Sequence, residues 1–599
     1  QKMKNQRYDR QVRLWGDDGQ NAIGSTSVCM LGASALGTEI LKSLVLAGID
    51  SFCIVDDALV TEPDLGTNFF LEASDLGKSR AKAALIQLNE LNPSVRGTFS
   101  FRSPTSATYA HLDELRPFSV VVATNMPECS AAPISAYLYE RGIPLIYSRV
   151  FGFLGTLRVA VAEHPIVNTH RENAPPDLRL DAPFPGLQKL IDGVNIEMMT
   201  DEQVRHTPYL ILYALALKEY RKSLEDPAAF PGSYAQRKAF LPFVMALARE
   251  RESGGTDENF DQAKESLTRS LLKTQIPSGV RAVLADPKCG EGEEAAAARG
   301  RDPFWIMCTA IRRFVDLHGV LPLPGQLPDM ASDSASYTRL SAVYHDAAMA
   351  DADEVLKEAH GLEKRTTASD AAGVSATEAD AEHDENDDGS GEPKKLKSSA
   401  PSSSISHETC MRLCKNAAAI ALQRGTRVDS WRGDGFRSVL ASIAATAQRD
   451  EETGAPLPVS PNAGSAHPAV WLLMQRAVDR FAEEKSRFPG TNGIPCEMDA
   501  KDLWERVTRI VDEGLAKKEG AEESMEQDDL TADTVLEQVP YSACSEMCRY
   551  AASEPHAVAS LLGGIAAQEV IKLATRQYIP VENTLVYDAH SGLTETFNL

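Results

Sequence analysis

Gly32, Ser34 and Gly37 stand on the spacing of a G-x-G-x-x-G loop, and Asp56 follows about 20 residues later. Residues of these types in this order hold a nucleotide. The loop backbone meets the pyrophosphate, the next helix offers its unpaired N–H groups, and the acid takes a ribose hydroxyl. The middle glycine is replaced here by Ser34. A side chain then stands where bare backbone must approach the phosphates. The loop keeps what a fold needs and loses part of what a ligand needs.

The ten cysteines are the other candidates for chemistry. Cys410 and Cys414 are four apart on a helical pattern, as are Cys544 and Cys548. That spacing puts each pair on one helix face, as core residues. Zinc would want C-x-x-C pairs, and the sequence has none. Cys29 and Cys53 fall in apolar strands. Cys129 and Cys289 can reach the surface, but neither has an activating neighbour. The expectation is no thioester nucleophile and no metal centre. Without a secretion signal the thiols should be reduced, in the cytoplasm or the nucleus.

An α/β fold must position the loop. Val28–Leu31 is a short apolar strand, and Thr38–Leu46 is the helical pattern after it. Apolar runs recur at Phe52–Val55, Ser119–Ala123 and Pro144–Tyr147, with helical patterns at Ser79–Leu91 and Ala132–Glu140. Alternation of this kind predicts a mostly parallel sheet. Residues 156–163 alternate at period two, as a further strand. Helical texture then dominates, as in Leu210–Tyr220, Ala239–Arg249, Trp305–Leu317 and a block from His407 to about Arg487. The apolar helix His556–Ala574 and the strand Asn583–Asp588 return to the first texture. We therefore expect a Rossmann-like α/β domain split by a mostly helical inserted domain. Its parts are 1–165, the insert 166–490, and the return 491–599.

At 599 residues the chain should hold two to four domains. A formal charge of −24 argues against nucleic acid, whose phosphates demand basic surface. No uncharged apolar run is long enough to predict a membrane span. Residues 364–404 lack Phe, Tyr, Trp and Ile and carry an acidic run. They cannot bury enough apolar area to offset their ordering entropy. Residues 517–533 form a second acidic loop of this kind, and shorter polar loops are expected at 286–302 and 450–465. Pro393–Lys397 is basic, as a nuclear import signal or a patch balancing the acidic run.

Several motifs together resemble one family, the activating enzymes for ubiquitin and its relatives. They are Arg7-Tyr-Asp-Arg-Gln11, Gly16, the loop Gly32–Gly37, Asp56, Asp75–Ala81 and the run Glu554–Lys572. Asp9–Asp17, Thr67–Leu71, Asp177–Pro185, Leu327–Met330 and Arg487–Gly490 are similar to the regulatory, non-catalytic subunits of the heterodimeric members that begin neddylation. The resemblance implies an adenylation-type (ThiF/MoeB-like) domain and a helical insert like a catalytic-cysteine domain without its cysteine. It implies ATP and Mg²⁺ at the site of a catalytic partner subunit, which adenylates a ubiquitin-like modifier and takes it as a thioester. The partners implied are that subunit, the modifier and its conjugating enzyme.

The sequence departs from the active pattern of that family. Thr67 and Asn68 stand where active members have Arg and Gln, and Thr124 or Asn125 where they have a metal-binding Asp. Neither brings a negative charge to a cation. Lys78 is retained, although a lone lysine is equally a solvated loop charge. Arg10 matches the arginine that, in the family, reaches from one half of the pair into the ATP site of the other. A guanidinium suits that role because its charge is permanent and its fork matches phosphate oxygens. The bland alternative is an ion pair with Asp9. Three competing readings remain. The sumoylation counterpart should lack a long helical insert. A self-sufficient adenylating enzyme conflicts with Ser34 and Thr67. A pure scaffold would have no use for Arg10.

Overall fold

The computed structural model describes residues 7–105, 111–249, 255–374, 405–431, 434–446, 466–516 and 530–599. The chain divides into two compact units, 1–166 with 422–599, and 167–421.

The first unit opens with α1 (Asp9–Ile23), then β1 (Ser27–Leu31), α2 (Ala35–Ala47), β2 (Ser51–Val55) and α3 (Arg80–Leu91). Next come β3 (Arg96–Ser100), β4 (Val120–Thr124), α4 (Glu128–Glu140), β5 (Leu145–Phe151) and β6 (Leu154–Ala160). After the second unit it resumes with α5 (Asp434–Ala444), α6 (Pro468–Lys485), α7 (Cys496–Leu515), α8 (Tyr541–Tyr550) and α9 (His556–Thr575). It closes on β7 (Thr584–Asp588) and β8 (Leu593–Phe597). The sheet order is β8-β7-β6-β5-β4-β1-β2-β3. The five strands from β5 to β3 are parallel, and β6, β7 and β8 are added antiparallel.

The buried strands are the ones with apolar runs. Every residue of β4, β5 and β6 is buried. β3 was not legible because it is an edge strand, mostly exposed, with too little apolar pattern. Residues 7–26 are polar in composition and nevertheless packed on the domain. Tyr8 is buried and accepts a bond from Asn92 Nδ2 at 2.9 Å, and Trp15 meets Tyr578 edge to face. These two aromatics dock α1 on the domain.

α9 packs along α2, as core. Among the described residues it is the one helix long and apolar enough to cross a membrane, by length and composition alone. Its Val558, Leu562, Ala566, Val570 and Leu573 are buried, although Leu561 is exposed. A Cβ on Gly563 would lie 2.8 Å from Glu39 Cβ and 3.3 Å from Ile40 N, so the two helix backbones touch through this glycine. Gly564 has nothing near it and plays no such part.

The insert is shorter than expected. The second unit ends at Ala421, and residues 422–490 belong to the first. Trp471, Leu473, Phe481, Phe436 and Leu440 share a core with Phe151, Leu154, Val586 and Phe597. A polar tie reinforces it: Arg149 Nη1 donates to both oxygens of Asp479 at 2.7 Å, and both residues are buried. Amphipathic texture shows that a segment is helical, not which core it joins.

The second unit is mostly helical. Its helices include Tyr209–Ser223, Tyr234–Met245, Glu258–Ser270, Pro303–His318, Ser334–Val374 and His407–Lys415. Tyr209, Tyr213, Phe240, Phe260 and Tyr344 are among its buried aromatics. The expected loop 286–302 holds a helix, Glu293–Arg299. The helix Ser334–Val374 runs through 364–374, where composition suggests disorder, because each added residue of an existing helix gains a hydrogen bond. The remainder, 375–404 with Pro393–Lys397, lies outside the described residues, as do 517–529 and 450–465. Within the acidic segment 517–533, Thr531 caps a short helix at Ala532–Leu536.

Candidate functional site

β1 ends at Leu31 and the chain turns at Gly32, where φ is +103°. The position needs glycine, since a Cβ there would meet Thr124 Oγ1 at 2.7 Å. A Cβ on Gly37 would lie 2.3 Å from Gly32 O, so this glycine seats the helix on the turn. Both glycines serve the fold. Thr124 Oγ1 donates to Leu31 O at 3.1 Å, and buried Asn68 donates to Ala33 O at 3.2 Å and accepts from Thr38 and Phe70 N. Thr124 and Asn68 therefore hold the loop in place. Thr67 bonds only within its own turn, to Pro63 O.

The loop opens on a cavity of about 330 Å³ whose lining includes Ser34, Asp56, Arg80, Asn125, Arg149 and Glu554. Asp56 does not wait for a ribose. Oδ2 accepts from Ala33 N at 2.6 Å and from Arg80 at 2.8 and 3.2 Å, and Oδ1 accepts from Ala58 N at 2.7 Å. Arg80 also donates to Asp64 at 2.9 Å. Burial works against the Arg80 charge, but the two aspartates outweigh it and hold the guanidinium above its ordinary range. For Asp64, burial is likewise outweighed, by bonds from Thr61 and by Arg80, and its carboxyl lies below the usual range.

The phosphate end of the loop is also engaged. Ser34 is the N-cap of α2, but its side chain makes no capping bond. It accepts instead from Asn125 Nδ2 at 3.2 Å, and Asn125 Oδ1 accepts from Val150 N at 2.8 Å. Glu554 Oε2 accepts from Leu36 N, in the first turn of α2, at 3.2 Å. Burial raises the Glu554 carboxyl above its usual range, against the pull of Leu36 N, Ser34, Arg80 and Asn125.

These residues do not fit a nucleotide with its metal. The ribose acid is consumed by Arg80, and an anion already lies at the helix N-terminus. Among the described residues no group of three His, Cys, Asp or Glu side chains could hold a metal ion. Lys78 does not line the cavity; it is exposed and pairs with Asp75 at 3.4 Å.

Arg10 lies outside the cavity, on the exposed face of α1. Its segment is a docked helix that kinks at Gly16, where φ is +73°. Asp9 pairs with Arg13 at 2.9 Å, so it does not engage Arg10. Arg10 has no ion pair or hydrogen bond through its guanidinium among the described residues, whereas Arg7 donates to Leu91 O at 3.0 Å.

Most of the cysteines are shut away in the core, and contact with Cys414 holds the Cys410 thiol below its ordinary range. Cys29, Cys308, Cys410, Cys414, Cys544 and Cys548 are buried, and all ten are free thiols. Cys289, expected near the surface, is buried, and burial pushes its thiol up to about 11. Burial takes Cys544 and Cys548 to about 12. Cys129 is exposed, and Cys53 is half-buried, not fully buried as its strand suggests.

Sequence reasoning missed Arg80, Arg149 and Glu554. Arg80 stands inside the quoted run Asp75–Ala81, but nothing in the sequence aims it at Asp56. Glu554 reaches the loop across 518 residues, a separation at which no local signal operates.

The ThiF family matches this chain over residues 8–599. The chain is 42% identical over 594 residues to the NEDD8-activating enzyme E1 regulatory subunit of Caenorhabditis elegans, covering 99% of this chain and 98% of the relative. It is 34% identical to the protein of that name from Danio rerio, covering 100% and 99%. It is 28% identical to the NEDD8-activating enzyme E1 regulatory subunit AXR1 of Arabidopsis thaliana, covering 97% and 94%. With its adenylation-type sheet and altered nucleotide loop, the chain belongs to the ThiF family and, within it, to the NEDD8-activating enzyme E1 regulatory subunits.

Proposed function

We propose that this chain is the regulatory half of a heterodimeric activating enzyme of the neddylation pathway. A catalytic partner subunit binds ATP and Mg²⁺, adenylates the ubiquitin-like modifier and takes it as a thioester. This chain contributes no nucleophile; its cysteines are buried or lack an activating neighbour. Its contribution to the chemistry is Arg10, offered in trans to the phosphates at the partner's site. There a guanidinium steadies charge that develops as the adenylate forms. The helical unit presents a surface to the modifier and to the conjugating enzyme. A reducing compartment, cytoplasm or nucleus, suits ten unpaired thiols.

The observation that carries this reading is the position of Arg10. Its helix is pinned by Tyr8 and Trp15, and its guanidinium has no partner of its own among the described residues. The test is ATP–pyrophosphate exchange by the reconstituted pair. The chain alone should show none. In the pair, Arg10→Ala should lower exchange roughly ten- to a hundredfold, as expected for one charge-assisted contact of about 1.5–3 kcal/mol. Arg10→Lys should restore part of it, because an ammonium keeps the charge and loses the fork. Arg13→Ala is the control. Exchange by the isolated chain would overturn the reading, and wild-type exchange by the Arg10→Ala pair would reduce the chain to a scaffold.

A further inference from the structure

The phosphate end of the glycine loop carries an occupant that the chain supplies itself. Ser34 has the extended backbone of an N-cap, with φ −68° and ψ −179°, yet it gives α2 no capping oxygen. The capping oxygen comes from Glu554, bonded to Leu36 N at 3.2 Å. Glu554 lies two residues before α9, which Gly563 holds against α2 at Glu39 and Ile40. One helix pair thus fixes both the N–H group and the carboxylate that meets it. Burial raises this carboxyl, while Leu36 N and the side chains of Ser34, Arg80 and Asn125 pull the other way. A carboxylate therefore lies where such a loop and helix end would take a phosphate.

We infer that Glu554 is the internal occupant of the phosphate site and the residue that excludes nucleotides from this cavity. Carboxylate and phosphate would use the same backbone N–H and the same positive end of the helix, so they cannot be accommodated together. Space is not the obstacle: about 330 Å³ lies within the range of small-molecule sites, roughly 300–1,000 Å³. The nearby cation Arg80 is already shared between Asp56 and Asp64 through direct ion pairs. A second cation beside the cavity, Arg149, is likewise paired, with Asp479. It is 3% exposed, and its Nη2 has no acceptor among the described residues. The inference concerns this chain alone and does not depend on the pairing proposed above.

The experiment is calorimetric titration of the full-length chain with ATP, with AMP and with inorganic phosphate, without a partner. Wild type should bind none of them. Glu554→Ala removes the competing anion and should bind ATP and AMP with a dissociation constant on the order of 1 mM, with phosphate weaker. Glu554→Gln keeps an acceptor for Leu36 N, removes the charge, and should bind more weakly than Glu554→Ala. Thermal melting confirms that each variant is folded; if Glu554→Ala is not, Glu554→Gln decides. Nucleotide binding by wild type as tight as by the variants would overturn the inference. So would folded variants that bind nothing, which would leave Glu554 as a helix cap only.

Discussion

At the glycine loop the charges that a nucleotide would need are spent inside the chain. Asp56 is bonded by Arg80 and two backbone N–H groups, Arg80 is shared with Asp64, and Glu554 lies on the first turn of α2. At the N-terminal helix the reverse holds. Tyr8, Trp15 and Arg7 are tied to the domain, while Arg10 is exposed and its guanidinium is left open among the described residues. The difference separates two uses of charge. A charge that serves its own fold is matched within it, since a buried group without a partner is costly. A charge that serves another molecule stands at the surface, on a backbone held firmly enough to aim it.

The comparison breaks first at Arg80. Removing one partner of a largely buried ion pair leaves the other uncompensated, so Arg80→Ala should destabilise the first unit by about 3–5 kcal/mol. A lowered thermal midpoint of the full chain is the expected outcome. An unchanged midpoint would mean that Asp56 is free to serve a ligand after all.

His164 sharpens the contrast as a third case, buried and 4% exposed, with Nε2 unpaired among the described residues. Burial, and then the nearby Arg576, lower its pKa to about 4. A depressed folded pKa gives stability that is present above the ordinary histidine value of about 6.5 and is lost as pH falls through about 4. The full loss is roughly 3–4 kcal/mol at one pKa unit per 1.4 kcal/mol. Denaturant midpoints from pH 7.5 down to 4 should therefore fall more steeply for wild type than for His164→Phe. Parallel slopes would show that the imidazole titrates normally.

Arg10 should move function and not stability. Its alanine variant should keep the thermal stability of wild type within about 0.5 kcal/mol, as an exposed change without partners does. The same variant should lose adenylation by the pair, as set out above. A large loss of stability would place Arg10 with Arg80, among the residues that serve the fold. The smallest effect belongs to Lys78. Its exposed pair with Asp75 should contribute about 0.2–1 kcal/mol, and Lys78→Ala should leave exchange by the reconstituted pair unchanged.

The sequence by itself determined the repeating local features. Apolar runs gave β1, β2, β4 and β7 nearly to their ends, because strands buried on both faces are continuous in hydrophobicity; β5 was read only to Tyr147, since Ser148 and Arg149 interrupt its run, and β6 was legible from its alternation. Gly32 and Gly37 were legible because only glycine fits a left-handed turn and a position where a Cβ would lie 2.3 Å from a carbonyl oxygen. A loss of nucleotide-binding character was expected from the sequence at Ser34, where a side chain replaces bare backbone, and at Thr67 and Asn68, where a cation is missing. The tertiary structure alone decided which groups meet there. It brought Arg80 to Asp56, Asp479 to Arg149, and Glu554 to Leu36 N. It also returned residues 422–490 to the first unit and docked the polar N-terminus as a helix. Pairings across hundreds of residues depend on how helices and sheet pack, and a charge carries no mark of its partner until that packing sets the distance between them.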